Sequence, residues 1–174
     1  FKCDWSSDVC SSDLSPQGSA RGDPDMLTGL FGRTGLLRRL LPGMGVSQRN
    51  VPATDGQVGT SAVVDWVSGA CFMVRREAFA SVGGFDERYF LYWEDADLCR
   101  RLRTAGYEIR HAPGAVAVHQ VGQSSRRAKG ASVRAFHASA YRYYCTHVAP
   151  HPLDPRRVVA RVLLAARCWW RVRG

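Results

Sequence analysis

Two adjacent carboxylates, Glu94 and Asp95, directly follow an aromatic run made of Phe85, Tyr89, Phe90, Tyr92 and Trp93. They open a segment with helical spacing. A carboxylate at a helix N-terminus is kept ionised, because the helix dipole and the unpaired N–H groups favour the anion. Aromatic side chains limit water access and offer a flat surface to a sugar ring. Together these residues suit a general base acting on a hydroxyl. Acidic residues at helix starts are also ordinary caps, and the chemistry of the pair alone leaves both roles open. A third candidate, His119, ends a β-prone run, where a histidine also serves as a structural residue.

The elements that must position these groups can be read from local signals. Val63–Val67 and Ala70–Val74 are β-prone runs joined at Ser68-Gly69. Arg75–Val82 predicts a short helix with Gly83 or Gly84 as its left-handed stop. Glu94–Ala105 predicts a longer helix. It has Glu94, Asp95 and Asp97 first, Arg100, Arg101 and Arg103 last, and Gly106 as the stop, an order that matches the dipole. Ile109–His111 and Ala115–His119 read as two strands around a Pro113-Gly114 turn. Ala131–His147 predicts a helix with Val133, Phe136, Ala140 and Tyr144 on one face. Asp154 and Pro155 mark the N-cap and first position of a last helix. In that helix Val158, Val159, Val162, Leu163, Ala166, Trp169 and Trp170 share one half of the wheel. Arg156, Arg157, Arg161, Arg167 and Arg171 share the other half, so the helix is basic and amphipathic. Upstream, Ser15–Asp25 and Pro42–Thr60 read as loops, and Met26–Leu41 as two short helical turns.

Composition narrows the function classes. The 174 residues are 45% hydrophobic and 22% charged, which is ordinary globular composition. No run of 18 apolar residues occurs, so no membrane-spanning helix is expected. The net charge of +9 is not spread evenly. Residues 1–119 hold 13 basic and 14 acidic groups, whereas residues 120–174 hold 11 basic groups and only Asp154. The positive charge therefore belongs to the last third, which suits an anionic partner there. No nucleic-acid-binding motif accompanies it, so nucleic acid is not the expected partner. The six cysteines form no C-x-x-C pair, which argues against structural zinc and fits small buried thiols in a reducing, cytoplasmic setting.

Phe1–Leu14 stands apart. Ser6-Ser7-Asp8 recurs as Ser11-Ser12-Asp13, and no apolar period of 2 or 3.6 is present. The peptide resembles a translated sequencing adapter. It is expected to be a non-native leader that plays no part in the fold, the alternative being a disordered acidic N-terminus. Without it the chain carries +11 rather than +9, since Lys2, Asp4, Asp8 and Asp13 leave with it.

The segment Val64–Gly122 resembles the C-terminal half of the catalytic domain of family 2 glycosyltransferases, in particular the bacterial rhamnosyltransferase type. The stretches that carry the resemblance are VDWVSGACFMVRREAF (64–79), GGFDERYFLYWEDADLCRRL (83–102), AGYEI (105–109) and the strand ending in His119. Weaker similarity extends over Met26–Leu41 and Ser124–His147. The resemblance implies an α/β fold: part of a Rossmann-like GT-A domain lacking its nucleotide-binding N-terminal half, followed by C-terminal helices. The implied division is a leader (1–14), a connector (15–62), the catalytic C-terminal half (63–122) and a basic helical extension (123–174).

The resemblance also implies roles. Asp95 would deprotonate an acceptor hydroxyl that attacks the anomeric carbon of a nucleotide-sugar with inversion, and Glu94 would support it. His119 would bind a divalent metal, Mg²⁺ or Mn²⁺, at the diphosphate. Trp66, Ser68, Gly69 and Ala70 match the acceptor-side strand and turn, where Gly69 would let the backbone approach the substrate. Core packing remains open for Trp66. Trp93 would stack on a sugar or pack beneath the site. Ser124, Ser125 and Arg126 would close over diphosphate oxygens or form a solvated loop.

The expected partners are a nucleotide-sugar donor, such as dTDP-rhamnose, and a polyprenyl-diphosphate-linked or glycan acceptor. The place of action would be the inner face of the plasma membrane, met by the basic helix. That helix could instead pack on the rest of a longer domain. The family's metal-binding D-x-D ends an apolar strand. Asp23-Pro24-Asp25 does not, and is expected to be a decoy. The chain by itself is expected to be inactive. The alternative reading is a non-catalytic fragment that binds anionic membranes.

Overall fold

In a computed structural model, residues 3–10, 20–23, 61–118 and 128–173 are described. Met26–Leu41, the loop at 42–60, His119 and the 121–127 loop lie outside the described residues.

Among the described residues there are six strands and four α-helices. The strands are β1 (Cys3–Cys10), β2 (Ala20–Arg21), β3 (Ala62–Val64), β4 (Trp66–Val67), β5 (Phe72–Met73) and β6 (Glu108–Val118). The helices are α1 (Arg76–Ser81), α2 (Glu94–Thr104), α3 (Lys129–Tyr143) and α4 (Pro155–Arg173), with a π-helical turn over Tyr144–Val148 after α3. One sheet has the order β3-β6-β1-β5, and β2 pairs with β4 in a second. β6 is antiparallel to β3 and parallel to β1, and β1 is antiparallel to β5. This mixed helix-and-strand architecture agrees with the α/β class expected. Among the described residues no helix is long and apolar enough to cross a membrane.

Two expectations about strands change. Residues 3–10, expected to play no part in the fold, form a strand between β6 and β5. The ladder is made by backbone groups, so it needs no apolar alternation in sequence. The two strands expected around Pro113-Gly114 are one strand, β6. Its register with β1 steps from Ser7↔Ala112 to Asp8↔Val116, so residues 113–115 bulge out of the ladder. Proline has no N–H to give to a ladder, and a bulge accommodates it without ending the strand.

The helix signals place α1, α2 and α4 within a residue or two. Gly83, Gly84 and Gly106 all take positive φ, at 78°, 73° and 86°. Asp154 caps α4, its carboxylate accepting the Arg156 N–H at 2.9 Å. The main core lies between α2, α1 and the β3–β4 and β6 strands. It contains Val64, Val67, Ala78, Leu98, Cys99, Leu102 and Ile109. Leu98 and Leu102 are the apolar stripe of α2, one turn apart. A second cluster of Tyr89, Ala96 and Tyr143, with Trp66 and Trp93 against it, joins α2 to α3. A third, Tyr144, Ala149 and Ala160, joins the π-helical turn to α4. Cys99 is buried as expected of a small thiol, but Cys71 is exposed.

Candidate active site

The chain must turn sharply to enter α2. Tyr92 and Trp93 both take left-handed backbone conformations, φ 66° and 72°. Such values are uncommon for bulky residues, because Cβ crowds the carbonyl oxygen. The turn presents the first residues of α2 toward Ser68–Ala70, between β4 and β5.

There the Asp95 carboxylate is held at both oxygens. Oδ2 accepts the Gly69 N–H at 2.8 Å, and Oδ1 accepts the Ala96 N–H at 2.8 Å. Two amide donors and the start of a helix all interact favourably with negative charge. Gly69 was expected to bring the backbone close to substrate, and the structure brings it close to Asp95. A Cβ built on Gly69 would stand 3.3 Å from Asp95 Cβ, tighter than ordinary contact. Ser68 and Ala70 complete the turn, with Ala70 N–H donating to Ser68 Oγ at 3.4 Å. Asp95 is half-buried and Gly69 and Ala70 are exposed, so this carboxylate stands at the surface of the fold.

Glu94 differs from its neighbour. Its Oε2 is buried with no hydrogen-bond partner among the described residues. Burial first, and the Asp95 charge second, push its carboxyl above the usual range. The pair thus joins a hydrogen-bonded carboxylate to a carboxyl whose surroundings favour the proton. Neighbouring acids in such unlike environments are the usual substrate for acid–base division of labour.

The aromatic run divides between core and surface. Phe85 packs edge-on against Phe72 and Phe79, and Tyr89 is buried, which raises its hydroxyl pKa. Phe90 is 90% exposed and Tyr92 partly so. Trp93 packs on Phe136 and Tyr143 of α3, and its indole N–H is buried with no partner among the described residues. Trp93 therefore lies beneath the turn. Trp66 packs against both the main and the second cluster, and its Nε1 donates to the Gly22 carbonyl at 2.9 Å.

His119, Ser124, Ser125 and Arg126 fall outside the described residues. Among the described residues no three His, Cys, Asp or Glu side chains converge on a point where a metal ion could bind. The described part thus gives the expected divalent metal no ligand set. Of Asp23-Pro24-Asp25, Asp23 is described. Its carboxylate accepts from Arg100 and, at 2.5 Å, from Arg103. Its N–H donates to Asp65 Oδ2 at 2.8 Å, and Asp65 Oδ1 accepts from Arg103 at 2.9 Å. The group ties Asp23, after β2, and Asp65, between β3 and β4, to Arg100 and Arg103 of α2.

Sequence reasoning treated Asp97 as one more first-turn acid. It is 1% exposed. Its Oδ2 accepts from Arg101 Nε at 2.7 Å, and its Oδ1 lies 2.7 Å from His147 Nε2. Arg101 also donates to the Val82 carbonyl at 2.7 Å. The i, i+4 spacing of Asp97 and Arg101 was a legible signal. Nothing local pointed to His147, fifty residues away.

The sequence model described as "Glycosyl transferase family group 2" matches residues 46–173. The chain is 41% identical over 111 residues to an N-acetylglucosaminyl-diphospho-decaprenol L-rhamnosyltransferase of Mycobacterium tuberculosis, covering 64% of this chain and 36% of that protein. It is 34% identical over 100 residues to rhamnosyltransferase WbbL of Escherichia coli K12, covering 58% and 37%. It is 30% identical over 97 residues to the dTDP-rhamnosyl transferase RfbF of Shigella flexneri, covering 56% and 32%. The chain spans about a third of the length of these relatives.

Proposed function

The chain belongs to glycosyl transferase family group 2, and from that premise we propose that Asp95 is the base of an inverting glycosyl transfer. The acceptor hydroxyl loses its proton to Asp95 as its oxygen forms a bond to the anomeric carbon. The bond from that carbon to the diphosphate breaks on the opposite face, and a nucleoside diphosphate leaves. The observation that carries this reading is the Asp95 carboxylate fixed by the Gly69 amide in an exposed turn. A base needs a fixed position within hydrogen-bond reach of an incoming hydroxyl, and the Gly69 contact supports that reading of Asp95. Glu94 supports the base from its buried position.

In this proposal the domain is part of a GT-A fold. The donor is dTDP-rhamnose and the acceptor is a polyprenyl-diphosphate-linked sugar or a glycan, by analogy with the relatives' names. A divalent metal with His119 among its ligands belongs to the proposal, as does Arg126 at the donor. Residues 1–14 enter as a non-native leader, and a native locus that encodes them overturns that part.

The test is transfer itself. The enzyme that carries this chain is incubated with dTDP-rhamnose, or with other nucleotide-sugars, and a polyprenyl-diphosphate N-acetylglucosamine. Mass spectrometry detects the product and NMR reads its anomeric configuration. Transfer with inversion is expected. Retention of configuration, or no transfer from any nucleotide-sugar, refutes the reading. The 174-residue chain alone is expected to give no product.

One observation favours a membrane-surface role beside catalysis. The buried residues of α4 are Ala160 and Leu164. Val158, Val162, Leu163, Trp169 and Trp170 point outward, with Trp169 58% and Trp170 62% exposed. Arg156 and Arg161 border that apolar face on the helical wheel, and Arg167 is drawn toward the domain, where burial lowers its pKa. An outward apolar stripe with tryptophans, edged by arginines, fits the interface of an anionic membrane. A fragment with this face alone would bind such a surface without catalysing transfer.

A further inference from the structure

We propose that one stripe of α3, continued by the π-helical turn, is a brace that imposes the left-handed turn at Tyr92–Trp93 and so aims Asp95. The brace residues are Phe136, Ser139, Tyr143 and His147. The role given to them rests on reading Asp95 as the base, and it makes them positioning residues for the transfer.

The need for a brace comes from the backbone. Two consecutive bulky residues at positive φ persist only where their surroundings over-determine them. The start of α2 does not supply this locally, since Trp93 at the N-cap makes no side-chain capping bond. The constraint comes from α3 instead. Ser139 Oγ donates to the Leu91 carbonyl at 2.9 Å, immediately before the turn. The Phe136 ring meets Tyr92 at 5.8 Å and Trp93 at 5.7 Å, between centroids. Tyr143 meets Trp93 at 5.2 Å. His147 Nε2 reaches Asp97 Oδ1 at 2.7 Å, inside the first turns of α2.

These four positions follow one another at intervals of three, four and four residues. That is one stripe of a helix laid along residues 91–97. Ser139 and Tyr143 are buried, so these contacts are made away from water. Within the same stretch the Asp95 carboxylate accepts the Gly69 N–H at 2.8 Å. Residues 91–97 thus meet the brace through Leu91, Tyr92, Trp93 and Asp97, and the β4–β5 turn through Asp95. The C-terminal helices, which the sequence divides from the catalytic half, would be needed to present its base.

The Gly69 amide gives a reporter that does not depend on catalysis. NMR measures hydrogen exchange of Gly69, Leu98 and Leu102 in the 174-residue chain. If the brace aims Asp95, Ser139→Ala and Phe136→Leu each speed Gly69 exchange on the order of tenfold, the worth of one charge-assisted hydrogen bond. Leu98 and Leu102 in the middle of α2 keep their protection. Asn tolerates the left-handed region, so Tyr92→Asn added to Phe136→Leu restores Gly69 protection. Unchanged Gly69 exchange, equal loosening throughout α2, or no rescue by Tyr92→Asn each overturns the brace.

A second readout separates the brace from the catalytic reading. In the longer enzyme, the same two variants are expected to lower kcat about tenfold with donor KM unchanged, because a small misplacement of the base costs rate rather than binding. A Gly69 response with unaltered kcat overturns Asp95 as the base and leaves the brace standing.

Discussion

Asp97 is the side chain whose removal tests the packing of this site most sharply. It is 1% exposed and bonded at 2.7 Å both to Arg101 Nε and to His147 Nε2. Asp97→Ala leaves the Arg101 guanidinium beside an empty buried space and unties α2 from the π-helical turn. Removing one member of a fully buried ion pair costs about 3–5 kcal/mol. Arg101 retains the Val82 carbonyl and is about a quarter exposed, which places the expected loss at the lower end, about 3 kcal/mol. Asp97→Asn keeps the shape. Its carbonyl can still accept from Arg101, and its NH₂ can donate to a neutral His147 ring nitrogen. Only the charge assistance is lost, about 1.5–2 kcal/mol.

The assay is urea unfolding of the 174-residue chain, followed by tryptophan fluorescence. With a slope of about 2 kcal/mol/M, the midpoint falls by about 1.5 M for Ala and just under 1 M for Asn. A double-mutant cycle with His147→Ala should show coupling of at least about 0.5 kcal/mol, as residues in contact do. A loss below about 1 kcal/mol for Asp97→Ala, or strict additivity with His147→Ala, refutes the buried pair.

Three further outcomes are expected. Glu94 has a raised pKa in the fold, so its stabilising share is full below the ordinary glutamate range near about pH 4.3 and is lost as pH rises through the raised value. Glu94→Gln mimics the protonated form, so its stability relative to wild type should improve between about pH 4 and pH 7, and a pH-independent gap in urea midpoints contradicts this. Gly69→Ala puts a methyl group 3.3 Å from Asp95 Cβ and should lower kcat of the longer enzyme roughly three- to tenfold with little loss of thermal stability; wild-type kcat contradicts it. The double variant Trp169→Ala, Trp170→Ala should reduce co-sedimentation of the chain with phosphatidylglycerol vesicles at least about tenfold, and wild-type binding should weaken with salt. Equal binding to neutral vesicles contradicts the membrane reading of α4.

The sequence was most legible where causes are local. Gly106 and the acid-to-base order of Glu94 through Arg103 defined α2, and Asp154-Pro155 defined the start of α4, because capping and dipole effects act within one turn. The Glu94–Asp95 pair was legible for the same reason. Long-range ties were not. The contacts of Asp23 with Arg100 and of His147 with Asp97 join residues 77 and 50 positions apart, and no spacing rule encodes them. β1 was missed because its ladder uses backbone groups, and the bulge in β6 because Pro113-Gly114 reads locally as a turn. In α4 the wheel identified the apolar half but not its direction. An amphipathic helix ordinarily turns that half inward, yet here Ala160 and Leu164 are the buried residues and the valines and tryptophans are exposed.

Asp95→Asn in the longer enzyme tests the central claim most directly. Asn keeps one oxygen for the Gly69 amide and gives up the bond from the Ala96 N–H, and it cannot take a proton from a hydroxyl. Loss of a positioned general base costs about 10²–10⁴-fold. Transfer should therefore fall at least about a hundredfold while the dissociation constant for the nucleotide-sugar stays within about twofold. Turnover within a few-fold of wild type would contradict the assignment of Asp95 as the base.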